Sequence, residues 1–214
     1  MNKLTLSTVA VLAMSTFAMA GGDIEPVVEP IAEVIAPVTD SGFYVGGGIS
    51  ALSWTEKGAF SAPGEQMFID ADWEATWTGG TFLAGYQFNK YLALEGRYTT
   101  SFGDASWEDH GIDDGDDGSE IDNIALYIKP MYPIDNLSLY ALLGYGETTI
   151  SYEGSPDFSE SSFQWGIGAG YNFTEQTSVF IDYTKLYDDT GFDTLISNLD
   201  YEADSITFGV IYKF

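Results

Sequence analysis

The last ten residues of the chain alternate so regularly that one backbone conformation accounts for them. Ile206, Phe208, Val210, Tyr212 and Phe214 fill every second position, with Ser205, Thr207, Gly209 and Lys213 between most of them. A β-strand sends successive side chains to opposite faces, so a strand here has one large apolar face and one small or polar face. The contrast recurs upstream. Phe163, Trp165, Ile167, Ala169, Tyr171 and Phe173 alternate with Gln164, Gly166, Gly168, Gly170 and Asn172. Leu92, Leu94, Gly96 and Tyr98 alternate with Ala93, Glu95, Arg97 and Thr99. Similar runs around Ile124–Tyr132, Leu137–Tyr145 and Val179–Tyr183, with residues 43–52 and 78–88, bring the expected number of strands to eight.

Which face lies inside sets the class. A water-soluble barrel fills its interior with the large apolar side chains. Here the minor face is rich in Gly, Ser, Thr and Asn with a few charges, which suits a narrow lumen, while the aromatic and aliphatic face suits lipid. No apolar stretch of the chain reaches the roughly 20 residues of a membrane helix. A membrane form must therefore be a closed barrel, because lipid offers no partner to a sheet edge. The expected fold is all-β, an eight-stranded antiparallel up-and-down transmembrane barrel. The connections fit it, for short links at 89–90, 133–136 and 174–176 alternate with long ones at 55–75, 103–122, 151–162 and 188–200. Outer-membrane barrels have short periplasmic turns and longer extracellular loops, so an even strand number leaves both termini periplasmic. Phe88, Tyr91, Tyr132, Phe173, Tyr212 and Phe214 form the expected periplasmic girdle, and Trp165, Tyr145 and Tyr201 the opposite one. Trp54 and Trp77 have the wrong parity for lipid contact, and the pattern gives them no place.

Residues 43–214 are thus the barrel. Ahead of them, Lys3, the apolar run at 4–14 and Ala18-Met19-Ala20 have the layout of a secretory signal peptide over residues 1–20. Residues 21–42, with Pro26, Pro30 and Pro37, read as an extended periplasmic linker that either spaces the barrel or touches the cell wall. The chain has no Cys, so neither disulfides nor thiolate metal sites hold it together. Its 33 acidic residues against 7 Lys and Arg give a formal charge of −26, which excludes nucleic acid as a partner.

Four stretches, Gly42-Phe43-Tyr44-Val45-Gly46, Leu83-Ala84-Gly85-Tyr86-Gln87-Phe88-Asn89, Leu92-Ala93-Leu94-Glu95 and Gly168-Ala169-Gly170-Tyr171-Asn172-Phe173, resemble the small OmpA-like and OmpX-like outer-membrane barrels. The ending through Ile206, Phe208, Val210, Tyr212 and Phe214 resembles the signal such barrels present to the assembly machinery. The resemblance covers residues 42–214 and implies a Gram-negative outer membrane, with lipid, lipopolysaccharide, periplasmic chaperones and the barrel assembly machinery as partners. It implies fold more than function, since the family includes adhesins, structural anchors, small channels and a few enzymes. A monomer without cofactor is expected.

Two constellations carry candidate chemistry. Glu95, Arg97, Lys129 and Asp182 all point to the lumen, and an eight-stranded barrel is only wide enough for side chains to fill it. Opposite charges can meet there, as a structural plug or as a gate whose pairs exchange to pass ions. Residues 103–122 hold nine acids and no Lys or Arg. Within them Asp113, Asp114, Asp116, Asp117 and Glu120 offer the oxygen ligands a divalent cation wants, but Gly and Glu do not fall where a calcium loop needs them. A solvated, self-repelling loop is the simpler reading. The sole histidine, His110, lies beside Asp109 with no nearby Ser in a His-x-Ser arrangement, so a lipid A-modifying enzyme is only a remote reading and no catalytic residue is assigned. The expected function is a structural or surface-interaction barrel acting through acidic extracellular loops. A small gated pore is the alternative.

Overall fold

The structure is a computed structural model that describes residues 41–61, 68–152, 154–196 and 198–214, without the side chains of 61, 68, 69 and 113–117. The expected signal segment lies outside the described residues, as does nearly all of the linker. The described residues form ten strands and no helix: β1 (Gly42–Ser61), β2 (Phe68–Asn89), β3 (Leu92–Ser101), β4 (Ala105–Asp109), β5 (Ile112–Asp117), β6 (Glu120–Ile134), β7 (Leu137–Ser151), β8 (Phe158–Asn172), β9 (Thr177–Thr190) and β10 (Asp200–Lys213). Eight of them close an antiparallel barrel in the order β1-β10-β9-β8-β7-β6-β3-β2, with β2 pairing back onto β1. Closure leaves none of these eight strands at an open edge, which a lipid environment demands.

The tight connections gather at the end that carries the barrel's first and last strand ends, here the terminal end. Their chemistry is local. The Asn89 side chain accepts from Tyr91 N at 2.8 Å, and Thr174 Oγ1 accepts from Thr177 N at 2.9 Å. Asp135 takes a left-handed φ of 53°, which Asp tolerates in a two-residue hairpin turn. Phe43, Ile49, Phe82, Ile124, Phe163, Ile167 and Phe208 all stand exposed on the outer face, as the alternation predicts. So do the six terminal-end girdle residues, together with Trp165 and Tyr145 near the other end.

The loop end departs from the sequence reading in three ways. First, residues 55–75 are largely not a loop. β1 and β2 continue past the apolar belt in unbroken register, with Lys57 opposite Asp72 and Ala59 opposite Asp70. Above the belt the outer face meets water, so Thr55, Lys57, Asp72 and Glu74 replace the apolar residues and the strand loses its contrast. Second, residues 103–122 hold the hairpin β4–β5, whose β4 pairs with the upper part of β2. Third, Tyr201 belongs to no girdle. It shares parity with Ser205 and Thr207 on β10, faces inward and is buried.

Candidate functional site

The lumen is filled in three layers. Nearest the terminal end, the four inward charges form one network. Glu95 and Arg97 stand two apart on β3, and Arg97 Nε donates to Glu95 Oε1 at 2.7 Å. The guanidinium crosses the barrel to β9 and grips Asp182 with two bonds of 3.0 and 2.7 Å. From β6, Lys129 Nζ reaches Glu95 Oε2 at 2.8 Å. Two tyrosines complete the set: Tyr44 OH donates to Glu95 Oε2 at 2.7 Å and Tyr140 OH to Asp182 Oδ2 at 2.8 Å. Glu95 is 0% exposed and Arg97 5%, so these charges are met by one another and not by solvent at the surface. Two acids and two bases cancel, and all four carboxylate oxygens accept at least one bond. Aromatic rings close the remaining space, with Lys129 Nζ 4.0 Å from the Tyr140 ring centroid.

The charged residues were visible as inward positions on separate strands, whereas the tyrosines were not singled out. Their signal is the glycine facing each one. A Cβ on Gly85 would lie 2.4 Å from the Tyr44 ring, and one on Gly168 would lie 2.5 Å from the Tyr140 ring and 2.6 Å from Asp182 Cβ. Those two glycines leave the space into which the rings and their acids fit.

The second layer is a chain of hydroxyls across four strands. Thr99 meets Thr81 at 2.8 Å, Thr81 meets Ser50 at 2.8 Å, Ser50 meets Thr207 at 3.0 Å and Thr207 meets Ser205 at 3.2 Å. On the other wall Tyr127 OH donates to Gln164 Oε1 at 2.5 Å. Asn123 Oδ1 and Gln164 Nε2 are the buried side-chain polar atoms without a partner among the described residues.

The third layer, at the loop end, is apolar and aromatic. Trp54 and Trp77, unplaced from sequence, are its centre. Trp54 packs edge-on to Phe192 at 4.8 Å between ring centroids, and Phe192 meets Tyr187 at 4.9 Å. Trp107 from β4 packs on Trp77 and on Tyr152, which follows β7. A bulge helps to fill the layer. Ala203 pairs with Tyr187 and Asp204 with Lys185, which leaves Leu186 unpaired on β9. Leu186 and Tyr187, neighbours in sequence, are therefore both buried in the same core. One carboxylate stands in it. Glu56 Oε1 accepts from Trp54 Nε1 at 2.8 Å and from Tyr152 OH at 3.0 Å. Among the described residues no base joins it, and burial raises its pKa against the opposing pull of those two donors.

The other sequence candidates lie apart. Ile206, Phe208, Val210, Tyr212 and Phe214 line the outer face of the closing strand, and Phe214 N donates to Phe43 O at 2.9 Å. The backbone of Asp113, Asp114, Asp116 and Asp117 belongs to strand β5, their side chains lie outside the described ones, and Glu120 opens β6 as an exposed residue. His110 occupies the turn of the β4–β5 hairpin with φ 50°, its Nδ1 2.7 Å from Asp109 Oδ1 and its Nε2 3.7 Å from Asp70 Oδ2. Both carboxylates raise its pKa, Asp109 most.

The family model for the outer membrane protein beta-barrel domain matches residues 6–214. The chain belongs to that family. Among solved structures, outer membrane protein AlkL, determined in lipid bilayers, is 16% identical with a TM-score of 0.58, covering 91% of this chain and 97% of its own. The outer membrane protein OprG from Pseudomonas aeruginosa is 13% identical with a TM-score of 0.54, covering 82% of this chain and 97% of its own. Identities this low speak for the fold alone. No curated protein matches the chain.

Proposed function

We propose that the protein is a sealed outer-membrane barrel whose role is carried by its acidic loop end, with both termini in the periplasm. One observation carries the reading: the charges that could line a pore are used up on each other. A conducting pore needs mobile or unpaired polar groups along a wetted axis. Here Glu95, Arg97, Lys129 and Asp182 form a neutral network with bonds of 3.0 Å or less, between rings that fill the bore. The aromatic layer closes the other end.

What remains to interact is the loop end. Residues 56–74, 104–122, 147–160 and 188–204 carry 24 of the 33 acidic residues and a single Lys, Lys57. A field of one sign draws basic surfaces or divalent cations that bridge to lipopolysaccharide phosphate. His110 meets the carboxylates of Asp109 and Asp70, and an exposed hairpin turn positions a general base poorly, so a surface role is favoured over catalysis. Planar-bilayer recording of the purified barrel tests the reading. The expected result is an unmodified membrane current. Stable open channels would establish the gated-pore reading instead.

A further inference from the structure

Across β10, β1 and β2 the outer wall passes from apolar to acidic in four rows. The lowest holds Phe208, Ile49 and Gly80 and belongs to the belt. Small residues follow on β1 and β2, with Ala51 opposite Thr78 in the second row and Ser53 opposite Thr76 in the third. Glu202, Thr55 and Glu74 make the fourth. The two middle rows form a recess of about 730 Å³, because larger groups stand at their margins. Tyr183 closes one side, its OH bonded to Asp204. Phe102 closes the lower side, its ring against Gly80, where a Cβ would stand 2.6 Å from it. Asp104 and Ser106 bound the recess toward β4. On β7 and β8 the belt meets polar residues directly, for Tyr145 and Phe163 pair one row below Glu147 and Ser161 and all four are exposed. We infer that the recess seats one sugar ring of a lipopolysaccharide whose acyl chains run down the belt over Ile49 and Phe208, which rests on the reading above that the loop end faces the medium.

Chemistry selects the occupant. A sugar ring presents hydroxyls at its edge and C–H bonds on its faces. The recess answers both, with aromatic rings at Tyr183 and Phe102 and hydroxyls at Ser53, Thr76 and Thr78 that no other side chain engages among the described residues. Asp104 and Asp204 add carboxylate acceptors, whose hydrogen bonds are about twice as strong as neutral ones. Apolar walls with a few convergent polar groups, in a volume of roughly 300–1,000 Å³, are the make-up of a ligand site. Position selects the source. The recess opens at the edge of the hydrocarbon, so a sugar that carries acyl chains is held by ring and chains together, and a free oligosaccharide by its ring alone. No free base faces the recess among the described residues. Lys185 is held by Glu202 and Asp204 at 2.7 and 3.1 Å, and Lys57 stands two rows above Ser53, opposite Asp72 and Asp200. The lipid's phosphates therefore meet this acidic rim through a divalent cation, which takes oxygen ligands from both.

Native mass spectrometry of the full barrel, released from vesicles of lipopolysaccharide and phosphatidylglycerol in Mg²⁺, tests this. One lipopolysaccharide per barrel is expected, and chelation with EDTA should release it. Ser53→Trp fills the recess from its floor and should lower retention at least about fivefold, which corresponds to roughly 1 kcal/mol. Ser161→Trp, an outward change on β8 remote from the recess, should leave retention unaltered. Circular dichroism checks folding, and Thr76→Trp fills the same space from the neighbouring strand if Ser53→Trp does not fold. A barrel without lipopolysaccharide, equal retention in the filled variant, retention that survives EDTA, preference for phosphatidylglycerol, or equally tight binding of deacylated oligosaccharide would each overturn the inference. Orientation is read separately. The chain has no Cys, so Ile112→Cys labelled on whole cells by an impermeant thiol reagent reports whether the loop end faces outward, and a failed seat is told apart from a failed orientation.

Discussion

Glu95 and Glu56 are both carboxylates turned inward in the same barrel, and their surroundings are opposite. Glu95 meets Arg97, Lys129 and Tyr44 within 2.8 Å and forms part of a neutral cluster. Glu56 sits in the loop-end core with two neutral donors, Trp54 and Tyr152, and no base among the described residues. The difference shows two ways to fill a narrow bore. At the belt, where hydrocarbon surrounds the wall, buried charge is tolerable only as a fully paired set. Above the belt, where water surrounds the wall, the bore closes like the core of a soluble protein, and one uncompensated acid persists because two donors hold it.

The sharpest test of this contrast is Arg97→Met. It strands Glu95 and Asp182 with one base between them, and a loss of about 3–5 kcal/mol is expected, read by urea unfolding in lipid bilayers. Replacing all four charged residues together by apolar ones of similar volume should recover most of that loss. If it does not, the network is more than a plug of satisfied charge. At the other end, Trp54→Phe removes one of the two donors to Glu56 and should cost about 1–3 kcal/mol in the same assay.

Glu56→Gln separates the sites by sign. Burial raises the folded pKa of Glu56, so its ionisation opposes folding, and that penalty grows as pH rises above the ordinary carboxylate value of 4.5. The variant should match the parent in acid and exceed it in stability at neutral pH. Equal stability at both pH values would mean that Glu56 is charged without penalty. The smallest expected effect is that of salt. Raising NaCl to about 0.5 M shortens the Debye length to a few ångströms and relieves repulsion among the exposed loop-end acids. Protease resistance of the β4–β5 hairpin should rise, while the unfolding penalty of Arg97→Met should hold, because its charges are buried.

Much of this was legible in the chain. Alternation within each strand reported the lipid-facing side, because the two sides of the wall meet different media and the strand period is two. It also placed Glu95, Arg97, Lys129 and Asp182 on the inner face. It could not show that the upper parts of β1 and β2 are strands, since both faces there carry polar residues or meet soluble-type packing. Nor could it find the use of Trp54, Trp77 and Tyr201, because the same inward parity holds hydroxyls at one height and aromatic rings at another.

The sequence by itself determined the wall: eight strands, their inner and outer faces, and the end at which the tight turns lie. Only the tertiary structure decided the contents of the bore. Tyr44 and Tyr140 reach Glu95 and Asp182 across spaces left by Gly85 and Gly168, and the bulge at Leu186 turns Tyr187 inward. Those contacts join residues far apart in the chain, and they depend on barrel closure and register, quantities that no local period encodes.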